Sequence, residues 1–333
     1  MLIGLTFDLR DYYRRLGYNE EDIAEFDSEE TISAIEHALS LMGHSTVRIG
    51  NIWELTRNIA DSQKWDLIFN VAEGLHGLAR EAQVPALLEA WQIPYTFSPP
   101  EVIVTCHDKS LAKLLVHQAG VKTARWQVVR NDSDIEQINL PFPLFVKPLA
   151  EGTGKGISAA SVVKSREELK LPVSQLLKRF SQPVLVETYL SGREFTVGIT
   201  GTAGDASLVG VMEIISGKDA EVGGHTYQNK ENCETLMEYH LADCPIGKAA
   251  GELALAAWRA LGCRDAGRID IRCDENGVPH FLEVNPLAGL HPTHSDLPIL
   301  ASMANIDYQQ LLTRIMDCCL NRLQLTQSGK NSG

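Results

Sequence analysis

The chain has 333 residues, 44% of them hydrophobic and 22% charged, with 26 Gly and 14 Pro. This composition excludes the disordered, collagen and low-complexity classes, and its length predicts two or three lobes at roughly 150 residues per domain. A balance of 30 Lys and Arg against 43 Asp and Glu, net −13, argues against nonspecific nucleic-acid binding, which needs clustered cations, but not against a small anion in a local basic pocket.

In chain order, Leu2 to Phe7 reads as an apolar strand. It meets Asp8 at once and lacks a basic n-region, so it does not read as a signal peptide. Ser28 to Met42 reads as an amphipathic helix, with Ser28 as N-cap, Glu29 and Glu30 in the first turn, and Ile32, Ile35, Leu39 and Met42 on one face. Asp66 to Val71 is a buried strand, Ala82 to Trp91 a helix, and Ile93 to Phe97 a strand. Strands alternating with helices predict a parallel α/β lobe over residues 1–100.

A helix from Lys109 to Ala119, closed by Gly120, opens a smaller α+β lobe over residues 101–183. Its strands are read at Trp126–Val129, Pro143–Lys147 and Ile157–Val163, with helices at Ser165–Lys170 and Val173–Phe180. A third lobe over 184–333 starts with a strand at Val184–Glu187. It continues with apolar runs at Phe195–Ile199 and Leu208–Ile215 and a polar stretch from Ser216 to Asn232. A helix at Gly247–Leu261, strands at Gly267–Cys273 and His280–Val284, and a helix at Tyr308–Leu323 precede a polar tail expected to fray. There is no run of about 18 apolar residues, so no membrane helix is expected. The seven Cys are scattered without a CxxC pair, which fits a reduced, cytoplasmic chain.

The chemistry concentrates in the last third. In Gly267–Arg272 the alternation puts Arg268, Asp270 and Arg272 on one face. After the turn Asp274–Gly277, Glu283 and Asn285 share a face of the next strand. Folded as a hairpin, Asp270, Glu283 and Asn285 form an oxygen-only site that suits Mg²⁺ shared with nucleotide phosphates. Arg268 lies two residues from a ligand, placed to stabilise developing negative charge. The bland alternative is a hairpin with a solvated polar face.

Upstream, Phe145-Val146-Lys147-Pro148 runs into Glu151-Gly152-Thr153-Gly154-Lys155-Gly156. Three alternate glycines let backbone amides approach phosphate oxygens. The spacing is not that of a Walker A loop, and taken alone it describes a tight hairpin equally well. Lys109 offers a second cation. The strand ending at Glu187 can present backbone groups to a base edge, and Glu194 can meet ribose hydroxyls.

The order Lys-Pro…Glu-Gly-x-Gly-x-Gly, Val-Glu-x-x-Leu-x-Gly-x-Glu-Phe-Thr-Val, Gly-Arg-x-Asp and Leu-Glu-x-Asn-Pro resembles the ATP-grasp carboxylate–amine ligases, D-alanine–D-alanine ligases above all. The resemblance spans Phe69-Asn70 to the last helix. It implies an α/β, three-lobed ATP-grasp fold, with an N-terminal parallel-sheet lobe and two α+β lobes clamping ATP, and an ADP-forming reaction in which a phosphorylated carboxylate is attacked by an amine. It further implies ATP and Mg²⁺ as cofactors, small-molecule substrates and a homodimer formed through the first lobe, while the acidic balance and the lack of a long apolar run predict no nucleic-acid or membrane partner.

Carried over by motif, Lys109 and Lys147 resemble the nucleotide-binding lysines, Glu187 and Leu190 the adenine contacts, and Glu194 the ribose ligand. Thr153 and Gly154 stand where the family's flexible loop has two serines, with Lys155 as an added cation. Asp270, Glu283 and Asn285 match the magnesium ligands, and Arg268 the arginine at the tetrahedral intermediate. Lys230 resembles the mobile-loop lysine. Glu81 resembles the acid of the family's His-Gly…Glu segment, and Ser295 the serine that meets a substrate carboxylate.

The departures lie at the substrates. The family's Gly-Gly-x-Ser-x-Glu-Arg-Glu stretch, whose Glu holds the first ammonium, is replaced by Phe7-Asp8-Leu9-Arg10-Asp11-Tyr12-Tyr13 and an insertion that puts Glu25 in rough correspondence. The segment His291–Pro298 is a residue longer than its counterpart, and its histidines read as pocket wall. The reaction class is therefore better specified than the substrate. Three versions remain open: a mycosporine imine ligase joining serine or threonine to mycosporine-glycine, a D-alanine–D-alanine ligase, and a dipeptide ligase for other side chains. A non-catalytic nucleotide-binding protein is the alternative from another class.

Overall fold

The computed structural model describes residues 1–216 and 237–330. The polar stretch after Ser216, including Lys230, lies outside the described residues, as do the last three residues of the tail.

The first lobe is built on β1 (Leu2–Thr6), β2 (Ser45–Gly50) and β3 (Leu67–Asn70). These pair in the order β2-β1-β3, all parallel. The expected strand at Ile93–Phe97 is reduced to one bridge, Ile68 to Tyr95, because Pro94 has no N–H to continue a ladder. α1 (Arg10–Arg15) follows β1. α2 (Glu29–Leu41) starts where Ser28 Oγ accepts the Thr31 amide at 3.2 Å. α3 (Ile52–Ala60) begins at a reciprocal cap between Asn51 and Glu54, and α4 (Gln83–Ala90) completes the lobe.

α5 (Pro100–His107) and α6 (Lys109–Gln118) lead to a second sheet of β4 (Trp126–Val129), β5 (Leu144–Pro148), β6 (Val162–Val163) and, beyond α7 (Arg166–Phe180), β7 (Val184–Thr188). Its order is β4-β7-β5-β6, antiparallel throughout. The strand expected over Ile157–Val163 shrinks to two residues, because the preceding Ala159–Ser161 form a 3₁₀ turn capped by Ser158. The two helices expected around Pro172 are one: burial of Leu169, Val173 and Leu176 on a single face carries the helix through the proline.

The third sheet holds β8 (Glu194–Thr200), β9 (Ser207–Ser216), β10 (Met237–Leu241), β11 (Ala266–Cys273) and β12 (Pro279–Asn285). They are ordered β10-β9-β8-β11-β12 and antiparallel. α8 (Pro245–Leu261), α9 (Asp296–Met303) and α10 (Tyr308–Lys330) complete the chain, the last running past the expected stop at Leu323.

The second sheet reaches past the expected division at 183/184. β7 sits between β4 and β5 in the second sheet, so this strand belongs to the central lobe. Packing also crosses the expected borders. Val102, Cys106, Ala112 and Val116 of α5 and α6 lie in one apolar cluster with Phe195, Trp258 and Ile269. Leu311, Leu312, Ile315 and Met316 of α10 pack with Ile32, Ile35 and Leu39 of α2. At about 1.5–3 kcal/mol for each such buried side chain, α10 is an integral part of the first lobe's core.

Candidate active site

The β11–β12 register sets Arg268 opposite Asn285 and Asp270 opposite Glu283. Asp270 is buried, its Oδ1 accepting from Thr196 Oγ1 at 2.9 Å. Its Oδ2 lies 3.2 Å from Arg268 Nη2 and 3.5 Å from Asn285 Nδ2. Two facing carboxylates and an amide thus meet as the hairpin spacing predicts. The donor set fits Mg²⁺, which takes a few protein oxygens and fills its remaining positions from water and phosphate. Among the described residues, no group of three His, Cys, Asp or Glu is placed to hold a metal ion by itself. An open oxygen site is the arrangement that suits a cation shared with a bound anion.

Lys109 and Lys147 converge on the same hairpin from the other side. Lys109 is the first residue of α6, which Asp108 caps by accepting the Ser110 amide at 2.9 Å. Its Nζ donates to the Glu151 carbonyl at 2.6 Å and lies 3.7 Å from Glu283 Oε2. Lys147 Nζ on β5 lies 3.8 Å from Glu283 Oε2 and 3.0 Å from Glu187 Oε1. Lys109, Lys147, Gly154, Lys155, Glu187, Leu190, Glu194, Asp270 and Glu283, spread along the sequence, thereby line one cleft between the second and third sheets. Glu194 pairs with Arg272 at 3.4 Å, and the Arg272 guanidinium lies over the Tyr189 ring.

The Glu151–Gly156 loop joins this cleft to a larger cavity of about 630 Å³. Thr153, Glu81, Arg268, Asn285 and Ser295 line the cavity, together with Glu283, which faces both spaces. Gly152 packs so closely that an added Cβ would lie 2.5 Å from Glu25 Oε1, and its amide donates to that oxygen at 3.0 Å. Lys155, expected as an added cation of this loop, lines the cleft and lies 3.4 Å from Glu25 and 3.8 Å from Glu151. Arg80 closes the network, 2.9 Å from Glu25 Oε2. Burial alone would raise the Glu25 carboxyl, but Arg80 and Lys155 outweigh it and hold it at about 2.

Arg80 Nη1 lies 2.9 Å from His107 Nε2, and His107 Nδ1 lies 2.8 Å from Glu81 Oε1. A guanidinium only donates, so Nε2 accepts and Nδ1 carries the proton toward Glu81. Two further carboxyls line the cavity, and the nearby Arg80 and Arg10 do not outweigh their burial. Burial, then Glu81, Glu25 and Asp27, push Glu73 well above the usual range. Burial and Asp8 raise Asp27 to about 7.

Arg268 Nη1 lies 2.6 Å from Asp296 Oδ2. Burial opposes its charge, yet Asp270 and Asp296 hold it firmly protonated. Ser295, expected to face a substrate, accepts the His291 amide on its Oγ at 3.0 Å. The rings of His291 and His294 lie 4.6 Å apart on the cavity wall.

Sequence reasoning missed Lys113, Arg80 and Asp296. Lys113 carried a legible signal: Lys109, Ala112, Lys113 and Val116 recur at the spacing of a buried helix face, so a lysine there is anomalous. Arg80 and Asp296 sit in loops and helix starts without periodicity.

A family model described as "D-ala D-ala ligase C-terminus" matches residues 115–317. The D-alanine–D-alanine ligase of Aquifex aeolicus is 32% identical over 291 residues, covering 87% of this chain and 94% of its own length. That of Bordetella avium is 31% identical over 247 residues, covering 73% and 75%. Among solved structures, the D-alanine–D-alanine ligase of Bacillus anthracis complexed with ATP superposes with a TM-score of 0.73 at 23% identity, covering 98% of this chain and 99% of that one. The VanG D-Ala:D-Ser ligase of Enterococcus faecalis gives 0.73 at 20%, covering 96% and 99%. At these identities the structural matches establish the ATP-grasp fold shared by all.

Proposed function

Since the chain belongs to the D-ala D-ala ligase C-terminus family, we propose that it is an ADP-forming, ATP-dependent C–N ligase that activates a carboxylate or equivalent oxyanion and joins it to an amino-acid amine. The observation that carries this reading is the convergence of Lys109, Lys147, Asp270 and Glu283 on one cleft that opens, past Glu283, into a second cavity. A nucleotide and a pair of small substrates need that arrangement.

In this reading the cleft takes ATP. Lys109 and Lys147 meet phosphate oxygens, Leu190 and the backbone at Glu187 meet the base, and Glu194 meets the ribose. Thr153, Gly154 and Lys155 cover the phosphates. Asp270, Glu283 and Asn285 would hold Mg²⁺, which would supply positive charge to screen the phosphates when bound. The substrate oxyanion attacks the terminal phosphorus and ADP leaves. The amine then attacks the activated carbon, the C–N bond forms, and phosphate leaves with the oxygen. Arg268 stabilises the negative charge that gathers on that oxygen as the carbon becomes tetrahedral. Glu81 and Ser295 position the substrates, with Glu81 oriented by His107, and Lys230 stands by resemblance for the loop lysine. The six described cysteines are unpaired, consistent with a cytoplasmic setting. A homodimer through the first lobe belongs to the same reading.

For the substrate pair, D-alanine twice is the version the relatives' names support. One observation favours a different first substrate: both Glu25 oxygens are engaged by Arg80, Lys155 and the Gly152 amide. This acid, the rough counterpart of the family's ammonium holder, is committed elsewhere. A first substrate without an ammonium, such as the cyclohexenone of mycosporine-glycine activated as a vinylogous acid and joined to serine or threonine, suits that pocket.

The test is ADP release from Mg-ATP by the purified protein. D-Alanine alone, pairs of L- and D-amino acids, and mycosporine-glycine with each amino acid are the substrates. Turnover with D-alanine alone selects a D-alanine–D-alanine ligase, and turnover only with mycosporine-glycine plus an amino acid selects the imine ligase. Nucleotide binding with no turnover on any set supports the non-catalytic alternative and overturns the ligase reading.

A further inference from the structure

Lys113 lies one helical turn after Lys109 on α6 and is wholly buried. It does not line the cleft. Its Nζ lies 2.6 Å from Glu187 Oε2 and 2.8 Å from Thr123 Oγ1, and Thr123 donates in turn to the Phe281 carbonyl at 2.8 Å. The ammonium also sits 5.8 Å from the centre of the Trp126 ring. The other oxygen of Glu187 lies 3.0 Å from Lys147 Nζ. One buried carboxylate therefore bridges two buried ammonium groups, only one of which, Lys147, reaches the cleft.

The charge count decides what this does. Lys113, Glu187 and Lys147 together carry one net positive charge. Without Lys113, Glu187 would cancel Lys147, and an anion in the cleft would meet a neutral pair. With it, Glu187 is already balanced from behind and anchors Lys147 without consuming its charge. In a low-dielectric site this difference is felt strongly by a phosphate. Burial pulls the Lys113 ammonium below its ordinary range, opposed chiefly by Glu187 at 2.6 Å.

We infer that Lys113 is a positioning residue for nucleotide binding, acting through Glu187 to keep the charge and position of Lys147 available to a phosphate. The inference rests on the reading of the cleft as the nucleotide site.

Calorimetric titration with the non-hydrolysable analogue Mg-AMPPNP and steady-state kinetics on the full chain test both readings separately. If the unmodified protein fails to bind the analogue, the nucleotide reading falls. If it binds, Lys113→Met should weaken affinity and raise the KM for ATP by about tenfold or more, with kcat within about threefold. Adenosine, which lacks phosphates, should bind Lys113→Met within about threefold of the unmodified chain, a split that a merely structural lysine would not give. An unchanged Mg-AMPPNP affinity in Lys113→Met, or an equal loss for adenosine, overturns the inference. Should Lys113→Met not fold, Lys113→Gln is titrated instead: a loss confined to Mg-AMPPNP supports the inference, and an unchanged affinity or a loss shared by adenosine overturns it.

Discussion

Asp296 Oδ2 lies 2.6 Å from Arg268 Nη1, and both side chains are nearly buried. The guanidinium is therefore fixed from one side by the first residue of α9 and from the other by Asp270, 3.2 Å away. Such a clamp leaves an arginine little freedom to follow a ground-state anion and aims it at one point in the cavity.

In the proposed reaction that point is where charge develops. Arg268→Ala should lower kcat at least about 100-fold while Mg-ATP affinity stays within about threefold. Titration of nucleotide alongside turnover checks this, and a parallel loss of both would remove Arg268 from the transition state. The clamp adds a stability consequence. Removing Arg268 takes from the nearly buried Asp296 its guanidinium partner at 2.6 Å, at a cost on the order of 3 kcal/mol. Adding Asp296→Leu should recover much of it in urea denaturation.

Asp270→Asn keeps the shape of the hairpin and removes one charge from the proposed cation site. The Mg²⁺ concentration for half-maximal ADP release should rise at least about tenfold. An Mg²⁺ titration superimposable on that of the unmodified enzyme would exclude Asp270 as a ligand.

The hairpin was the most legible part of the site, and the reason is physical. Alternation along β11 and β12 dictates which side chains share a face, and a short turn dictates which residues face one another. Arg268, Asp270, Glu283 and Asn285 needed only those two rules. The helix with both a cap and a periodic apolar face, α2, is equally plain. α3 and α5, of nine and eight residues, are too short to show a sustained periodic face. A strand carries no mark of which sheet it joins: β7 reads the same whether it pairs forward or back. The ion network of Glu25, Arg80 and Lys155 joins residues up to 130 positions apart, and no local pattern announces such pairs.

Gly152→Ala tests the join between that network and the loop. An added Cβ would lie 2.5 Å from Glu25 Oε1, forcing the loop or the buried carboxylate to shift. The expected loss is about 1–3 kcal/mol of stability. The catalytic constant for ADP release should fall as well, because the loop covers the proposed phosphate site. A urea midpoint equal to that of the unmodified chain would show that the loop is not held against Glu25.

Asp27 supplies a pH dependence whose sign is fixed. Burial, with repulsion from Asp8, raises its carboxyl from the ordinary 3.8 to about 7. Between those two values the folded chain retains a proton that the unfolded chain has released, so this group makes stability fall as pH rises through the window. Glu25 behaves oppositely, its carboxyl lowered from 4.5 to about 2. The stability it contributes is full above about pH 4.5 and is lost as pH falls toward 2. Asp27→Asn should therefore stabilise the protein at pH 8 by on the order of 2 kcal/mol and leave it nearly unchanged at pH 3, where both forms are neutral in either state. Urea denaturation of the two proteins at both pH values measures the difference. A gain of equal size at pH 3 and pH 8 would mean that the effect is packing rather than charge, and that Asp27 is not the proton-holding carboxyl of the cavity.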